Sequence, residues 1–464
     1  MNCLLMLTDD LTWFKVKNRR ILLELIGVLN YLSSQLDKGS DLGVKINFLK
    51  SANLVILERI FLSPEGRQWI YFTYTEIKGK GNRGETLKAY ATWLEISRTV
   101  LREHLIQKLD EFVFALIVLS QNVPKESIRL KVKESALLQI GGQLWRLQKN
   151  FDLDLAPTSK VTIDLSLEDI RVSVNSSRHE INLGFSRLPS SKKFPLHIDL
   201  YSEASRSSFP GREQLPRVSE QEEEVLLKQI QVIEKALDYI GLVDPSITQY
   251  FKEVPNYFVP LIGPDGTLPS SSNSSVDTMF WYSTTHQPLL MAEMIIHELS
   301  HQRVFRLQDM DPLIDSEVHG SGWDICEIYS PWRDDPRPVN GVFHGFVVFT
   351  EAAKFWMSLI NQGGLHPEDL DISKRRMTML ALQLDHAQKS LATCTYTEWG
   401  KTLFDAYAQV LEGTILPYIK KHNLGDLKPF FMEFHDQEQP IGVSIAEVVE
   451  GHKSQWITRN GGRN

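Results

Sequence analysis

Between Asn18 and about Gln148 the apolar positions recur mostly at helical spacing, as in ILLELIGVLNYLSSQL from Ile21 and EFVFALIVLSQ from Glu111. That pattern predicts a helical segment. The period changes to two between Phe151 and Tyr201: Val161, Ile163, Leu165 and Leu167 alternate with Thr162, Asp164, Ser166 and Glu168. Ile181, Leu183 and Phe185 repeat it, as do Leu196, Ile198 and Leu200. Half-buried antiparallel strands joined by short polar turns fit this alternation. The stretch SEASRSSFPGREQLPR from Ser202 is polar and rich in Ser, Arg, Gly and Pro, which reads as a linker or exposed loop.

Beyond it, Ser219 and Glu222 form a capping box for a helix whose apolar face is Leu226, Ile230, Ile233, Leu237 and Ile240. The acidic run Glu220 to Glu224 belongs to that helix start as a solvated face. SSSNSS from Ser270 is expected as a loop, over a pocket or as a surface turn, and MFWYS from Met279 as a short strand. Helix dominates from Pro288 to about Asn361 and from Ser373 to about His422. No internal repeat argues for a solenoid. The fold class expected is α+β, mainly helical. It comprises a helical N-terminal domain over 1–150, a strand-rich segment and linker over 151–218, and a mainly helical domain over 219–464.

Composition adds limits more than content. The 464 residues carry 50 Lys+Arg against 58 Asp+Glu, a formal net charge of -8, so nucleic acid and anionic membrane are not expected partners. Three cysteines, Cys3, Cys326 and Cys394, are too few and scattered for a disulfide framework or a cysteine zinc cluster; Cys326 reads as packing. A reducing cytoplasm fits. MNCLLMLTDDLTWF lacks the charged start and long apolar run of a secretory signal, and no segment approaches the roughly 20 apolar residues of a membrane span. Five of the 13 histidines fall between His286 and His344.

The sharpest signal lies in that stretch: His297-Glu298-Leu299-Ser300-His301, an HExxH motif. Residues four apart on a helix share a face, so both imidazoles can reach one divalent ion. Pro288 suits a first helical turn, and LLMAEMII ahead of His297 is apolar on nearly every side except Glu293. Histidines on a helix this apolar need a partner, a hydrogen bond or a metal. A metal site needs a third ligand, for which the candidates are His344, then Glu351, then His319. Glu351 would complete the donor set of many zinc peptidases, with Glu298 as general base toward bound water. His344 would give three facial histidines with positions left open, as an iron oxygenase requires. Gly341 and Gly345 let the backbone around His344 come close to a neighbour.

HELSHQ at His297, followed by SPWRDDPRPVNGVFHGF from Ser330 to Phe346, resembles the HExxH-motif putative peptide-modification family found beside ribosomally made, modified peptides. Its second hallmark, PRPxxGxxHG, is matched here from Pro336 to Gly345, and the motif-level similarity runs from about Ser270 to Trp356. The resemblance implies an Fe(II)- and 2-oxoglutarate-dependent oxygenase using O2 to hydroxylate side chains, typically at the β-carbon, in a precursor peptide. It also implies His297, His301 and His344 as iron ligands.

The distal carboxylate of 2-oxoglutarate needs a cation, which Arg supplies best. Arg337, inside the PRP element, is the first choice and Arg333 the second; the competing role for each is an ion pair with Asp334, Asp335 or another carboxylate. In an oxygenase Glu298 orients ligands or metal-bound water. Asp315, Glu317, His319, Trp323 and Tyr329, between the motifs, read as ordinary structure. The strands of 151–201 offer an edge for pairing with a peptide backbone. The rival readings are a zinc metallopeptidase and a non-catalytic peptide-binding scaffold with a structural metal.

Overall fold

The computed structural model describes residues 10–36, 40–78, 105, 108–125, 127–132, 137–140, 143–147, 151–155, 159–165, 169–175, 180–187, 190–199, 223–261, 270–272, 276, 278–315, 327–333, 335–428 and 444–459. The chain is an α+β protein, mainly helical, and its buried apolar residues gather in two cores, from Ile21 to Val172 and from Phe194 to Leu424.

Five helices open the first core: α1 (Asp10–Gln35), α2 (Asp41–Lys50), α3 (Leu54–Phe61), α4 (Pro64–Lys78) and α5 (Leu109–Ser120). Ser40 and Asn53 cap α2 and α3, accepting from the Gly43 and Val55 amides. Helix stops at Ser120, short of the Gln148 that the spacing suggests. Strands begin instead at β1 (Ile128–Val132), β2 (Leu137–Ile140) and β3 (Gln143–Leu147), followed by β4 (Phe151–Leu155), β5 (Lys160–Leu165), β6 (Asp169–Asn175) and β7 (Glu180–Arg187). Short apolar runs such as IRLKV fit either period, and pairing decides between them. β1 pairs with β4, and the others form an antiparallel sheet in the order β2-β3-β7-β6-β5. Its register puts Ile163 opposite Val172 and Val172 opposite Leu183, as the period-two reading requires. Trp145, Val161 and Val172 are buried in the same core as the helices, so helices and strands form one body.

The second core is built on a mixed sheet in the order β10-β11-β9-β8, from β8 (Leu196–Ile198), β9 (Asn256–Leu261), β10 (Ser270–Ser272) and β11 (Met279–Ser283). Between β8 and β9 run α6 (Glu223–Val243) and α7 (Pro245–Glu253). Ile230, Ile233, Leu237 and Ile240 are buried as the α6 spacing requires; Ser219 and Glu222 lie outside the described residues. MFWYS is strand β11, as expected. SSSNSS is not simply a loop, because Ser270–Ser272 pair antiparallel with Tyr282–Phe280; Asn273 to Ser275 lie outside the described residues.

The HExxH helix is α8 (Pro288–Gln308), with Pro288 in its first turn and apolar residues buried all round, from Leu289 to Leu307. After the short pair β12 (Glu327–Ile328) and β13 (Arg337–Pro338) come α9 (Val339–Gln362) and α10 (Pro367–Leu391). The chain then forms α11 (Glu398–Val410), a π turn (Leu411–Ile415), α12 (Leu416–Lys421) and α13 (Ile445–Arg459). α8 packs against α6 and α9, and α9 against α10. Among the described residues no helix is long and apolar enough to cross a membrane.

Candidate metal centre

α8 and α9 pack side by side and bring the two sequence motifs together. His297 and His301, one turn apart on α8, meet with their Nε2 atoms 3.2 Å from each other. His301 Nδ1 lies 3.3 Å from His344 Nδ1 on α9. His344 is buried and its Nε2 lies 2.8 Å from Gln308 Oε1, whose own amide nitrogen donates to Asn340 Oδ1 at 2.7 Å. A chain of donors follows. Gln308 Oε1 can only accept, so His344 carries its proton on Nε2 and presents a lone pair at Nδ1. His301 then donates from Nδ1, which leaves its Nε2 lone pair facing His297. A second hydrogen-bond partner that fixes a tautomer in this way is how ligand histidines are prepared.

Aromatic rings wall the cluster. Phe349 lies 4.6 Å from the His297 ring and stacks at 4.8 Å on Trp332; Phe305 lies 5.1 Å from the His344 ring. Trp332 comes this close because position 345 is glycine: a Cβ there would lie 2.7 Å from the indole Cζ3. His344 is buried and His297 and His301 are half-buried, and desolvation keeps all three neutral. His297 is pushed down to about 3, with the charge of Arg376 adding to the desolvation. His301 and His344 are lowered by burial and then by their histidine neighbours.

Glu298 is buried, with Oε1 3.9 Å from His297 Nε2. Burial pushes its carboxyl up to about 7, against the pull of Ser270 and Ser272 on β10. Among the described residues neither carboxylate oxygen has a partner at hydrogen-bonding geometry, and neither has the buried Ser272 hydroxyl. Ser270 and Ser272 stand opposite Tyr282 and Phe280, which belong to the core face of the sheet, and so turn toward α8. A carboxylate left unpaired beside two neutral imidazoles that meet at Nε2 fits a divalent cation at that point.

The third ligand is not in place. His301 meets His297 and His344 through opposite edges of its ring, so His344 stands behind His301. Among the described residues no group of three or more His, Cys, Asp or Glu side chains is arranged to hold a metal ion. The Glu351 carboxylate accepts from Lys354 Nζ and Tyr407 OH, each at 2.8 Å, and these partners with Arg303 hold its pKa low despite burial. Arg337 is half-buried with Nε 3.1 Å from Asp335 Oδ2, the ion pair that competes with a cosubstrate role, and Arg333 is exposed. Asp315 anchors its amide on Thr395, and Tyr329 is buried with its hydroxyl 2.9 Å from His452 Nδ1. Glu317, His319, Trp323 and Cys326 lie outside the described residues.

Several contributors escape the sequence reading. Glu293, one turn before His297, is held by Arg376 of α10, whose Nε donates to Oε2 at 2.9 Å, and by Trp356 Nε1 at 2.8 Å. The signal for Glu293 was present, as the one polar break in the apolar run. Arg376, Gln308, Ser270 and Ser272 carried none, because nothing local marks them. Compared with known proteins, the chain matches no protein-family model and no curated protein.

Proposed function

We propose that the protein is an Fe(II)/2-oxoglutarate-dependent oxygenase that hydroxylates a side chain, at the β-carbon, of a ribosomally synthesised precursor peptide in the cytoplasm. The observation that carries this reading is the meeting of the HExxH motif with the PRPxxGxxHG motif, His301 against His344, across 43 residues of chain. His297 and His301, whose Nε2 atoms face each other, would hold the iron, and His344, now against His301, would be the third ligand of the set.

Iron, when bound, supplies the oxidising chemistry with O2 and 2-oxoglutarate. The chain's own residues bind and shield: Phe305, Phe349 and Trp332 keep water from the histidines, and Glu298 orients what binds beside His297. Arg337, which now pairs with Asp335, or Arg333 would hold the distal carboxylate of the cosubstrate.

One observation favours a second reading. A buried, unpaired Glu298 with its carboxyl near 7 is suited to accept a proton from water, the general-base role in a zinc metallopeptidase. The test is anaerobic loading of the purified chain with Fe(II), then 2-oxoglutarate and a short peptide encoded beside its gene, then oxygen. A gain of one oxygen in the peptide with succinate release supports the oxygenase. Peptide cleavage with zinc and without 2-oxoglutarate overturns it.

A further inference from the structure

The face of α8 opposite the histidines carries two buried arginines, and one carboxylate from α1 lies against them. At about 100° per residue, Arg303 and Arg306 stand about 200° and 140° round the helix from His301, so they take no part in the metal centre. Asp10, the first residue of α1, is 4% exposed and lies between them. Arg303 grips it side-on: Nε lies 3.1 Å from Oδ1 and Nη2 2.7 Å from Oδ2, the two-pronged match of guanidinium to carboxylate. Arg306 reaches the same carboxylate end-on, from Nη1 to Oδ1 at 2.6 Å.

That leaves the side-on edge of Arg306, Nε with Nη2, buried in a residue 2% exposed and without any hydrogen-bond partner among the described residues. The edge is the same one Arg303 uses on Asp10. Charge points the same way. Two guanidinium groups share one carboxylate; the other anion in the field of Arg303, Glu351, is already paired with Lys354. A buried charged donor left without its hydrogen bond destabilises the fold.

We infer that Arg306 is the floor of a second anion site, in which a small oxyanion takes the Nε and Nη2 hydrogens in the geometry that Asp10 adopts on Arg303. The ligand is a carboxylate of a small organic acid or inorganic phosphate, both of which offer two oxygens at the required spacing. Occupancy stabilises the folded chain by satisfying that buried edge. The inference stands whatever metal His297 and His301 bind.

Thermal unfolding of the full chain, in a buffer without oxyanions and at constant ionic strength set with chloride, is followed while acetate or phosphate is titrated in. A saturable rise in Tm is expected for at least one of them. Arg306→Lys, which keeps the charge and loses the fork, should shift its midpoint at least tenfold upward. Asp10→Asn, which frees the Arg303 fork as well, should keep or strengthen the response.

No saturable response in the unsubstituted protein, or the same midpoint in Arg306→Lys, overturns the site. If Arg306→Lys does not fold, crystals of the unsubstituted chain soaked in acetate or selenate decide the question. Density for a bound acetate, or anomalous density for selenate, against Nε and Nη2 supports the site and tells carboxylate from tetrahedral oxyanion; its absence with both probes overturns it.

Discussion

At the scale of single residues the chemistry turns on two atoms, Glu298 Oε1 and His344 Nδ1. Glu298 costs the fold something, since burial raises its pKa more than the serines of β10 lower it. Glu298→Gln removes the proton acceptor and keeps the shape. In the oxygenase it should lower turnover by about 10- to 100-fold with iron still bound, the usual effect of disturbing a ligand's surroundings. A loss of peptide cleavage nearer 10³-fold with zinc bound would assign it as a general base. His344→Ala removes the acceptor that fixes the tautomer of His301 and, in the proposed assignment, the third ligand. Iron content by anomalous scattering or emission spectroscopy should fall to background. Retention of stoichiometric iron in that variant, with loss in Glu351→Ala, would move the ligand to Glu351.

At the scale of elements the wall of the histidine cluster depends on how closely Trp332 can lie against α9. A Cβ at position 345 would stand 2.7 Å from the indole, so Gly345→Ala must push Trp332 off Phe349. The expected cost is about 1–3 kcal/mol, read as a lower urea midpoint, with a more accessible Trp332 in fluorescence quenching. The same region explains what the sequence could convey. An HExxH motif, the apolar run of α8 and the glycine in HGF are local patterns, and their helix and close approach were legible in them. The period-two alternation likewise announced β5, β7 and β8, although β8 pairs parallel with β9 and not antiparallel as the alternation suggested.

Other elements were legible only in part. β1, β2 and β3 are short runs that suit either period, and partners far along the chain select the strand. Ser270–Ser272 has no apolar alternation at all and becomes a strand through backbone pairing with β11. Its serines face Glu298 for that reason, a relation no local signal carries. Arg376 is of the same kind, since its role follows from where α10 packs.

At the scale of the whole molecule, Asp10 does for the two cores what a hydrophobic seam does within one of them. It is buried between Arg303 and Arg306, and although burial alone would raise its pKa, the two guanidinium groups outweigh that and hold it below the ordinary aspartate value. The sign of the linkage follows. A carboxyl whose pKa is lower folded than unfolded contributes stability that is fully present above the unfolded value, about 3.9, and is lost as pH falls through the folded value. Asp10→Asn abolishes that contribution at every pH and leaves two buried cations with no carboxylate between them, a change of about 3–5 kcal/mol for a broken buried pair. Two consequences can be measured in one series of urea titrations. At neutral pH the variant should unfold at a lower midpoint, with the N-terminal core, α1 to β7, exchanging its amide hydrogens ahead of the second core. Toward acid pH the gap between the two proteins should close, because the parent loses what the variant already lacks. A constant gap from pH 7 to below 3 would mean that Asp10 acts through shape and not charge, and that the cores are joined by something other than this ion pair.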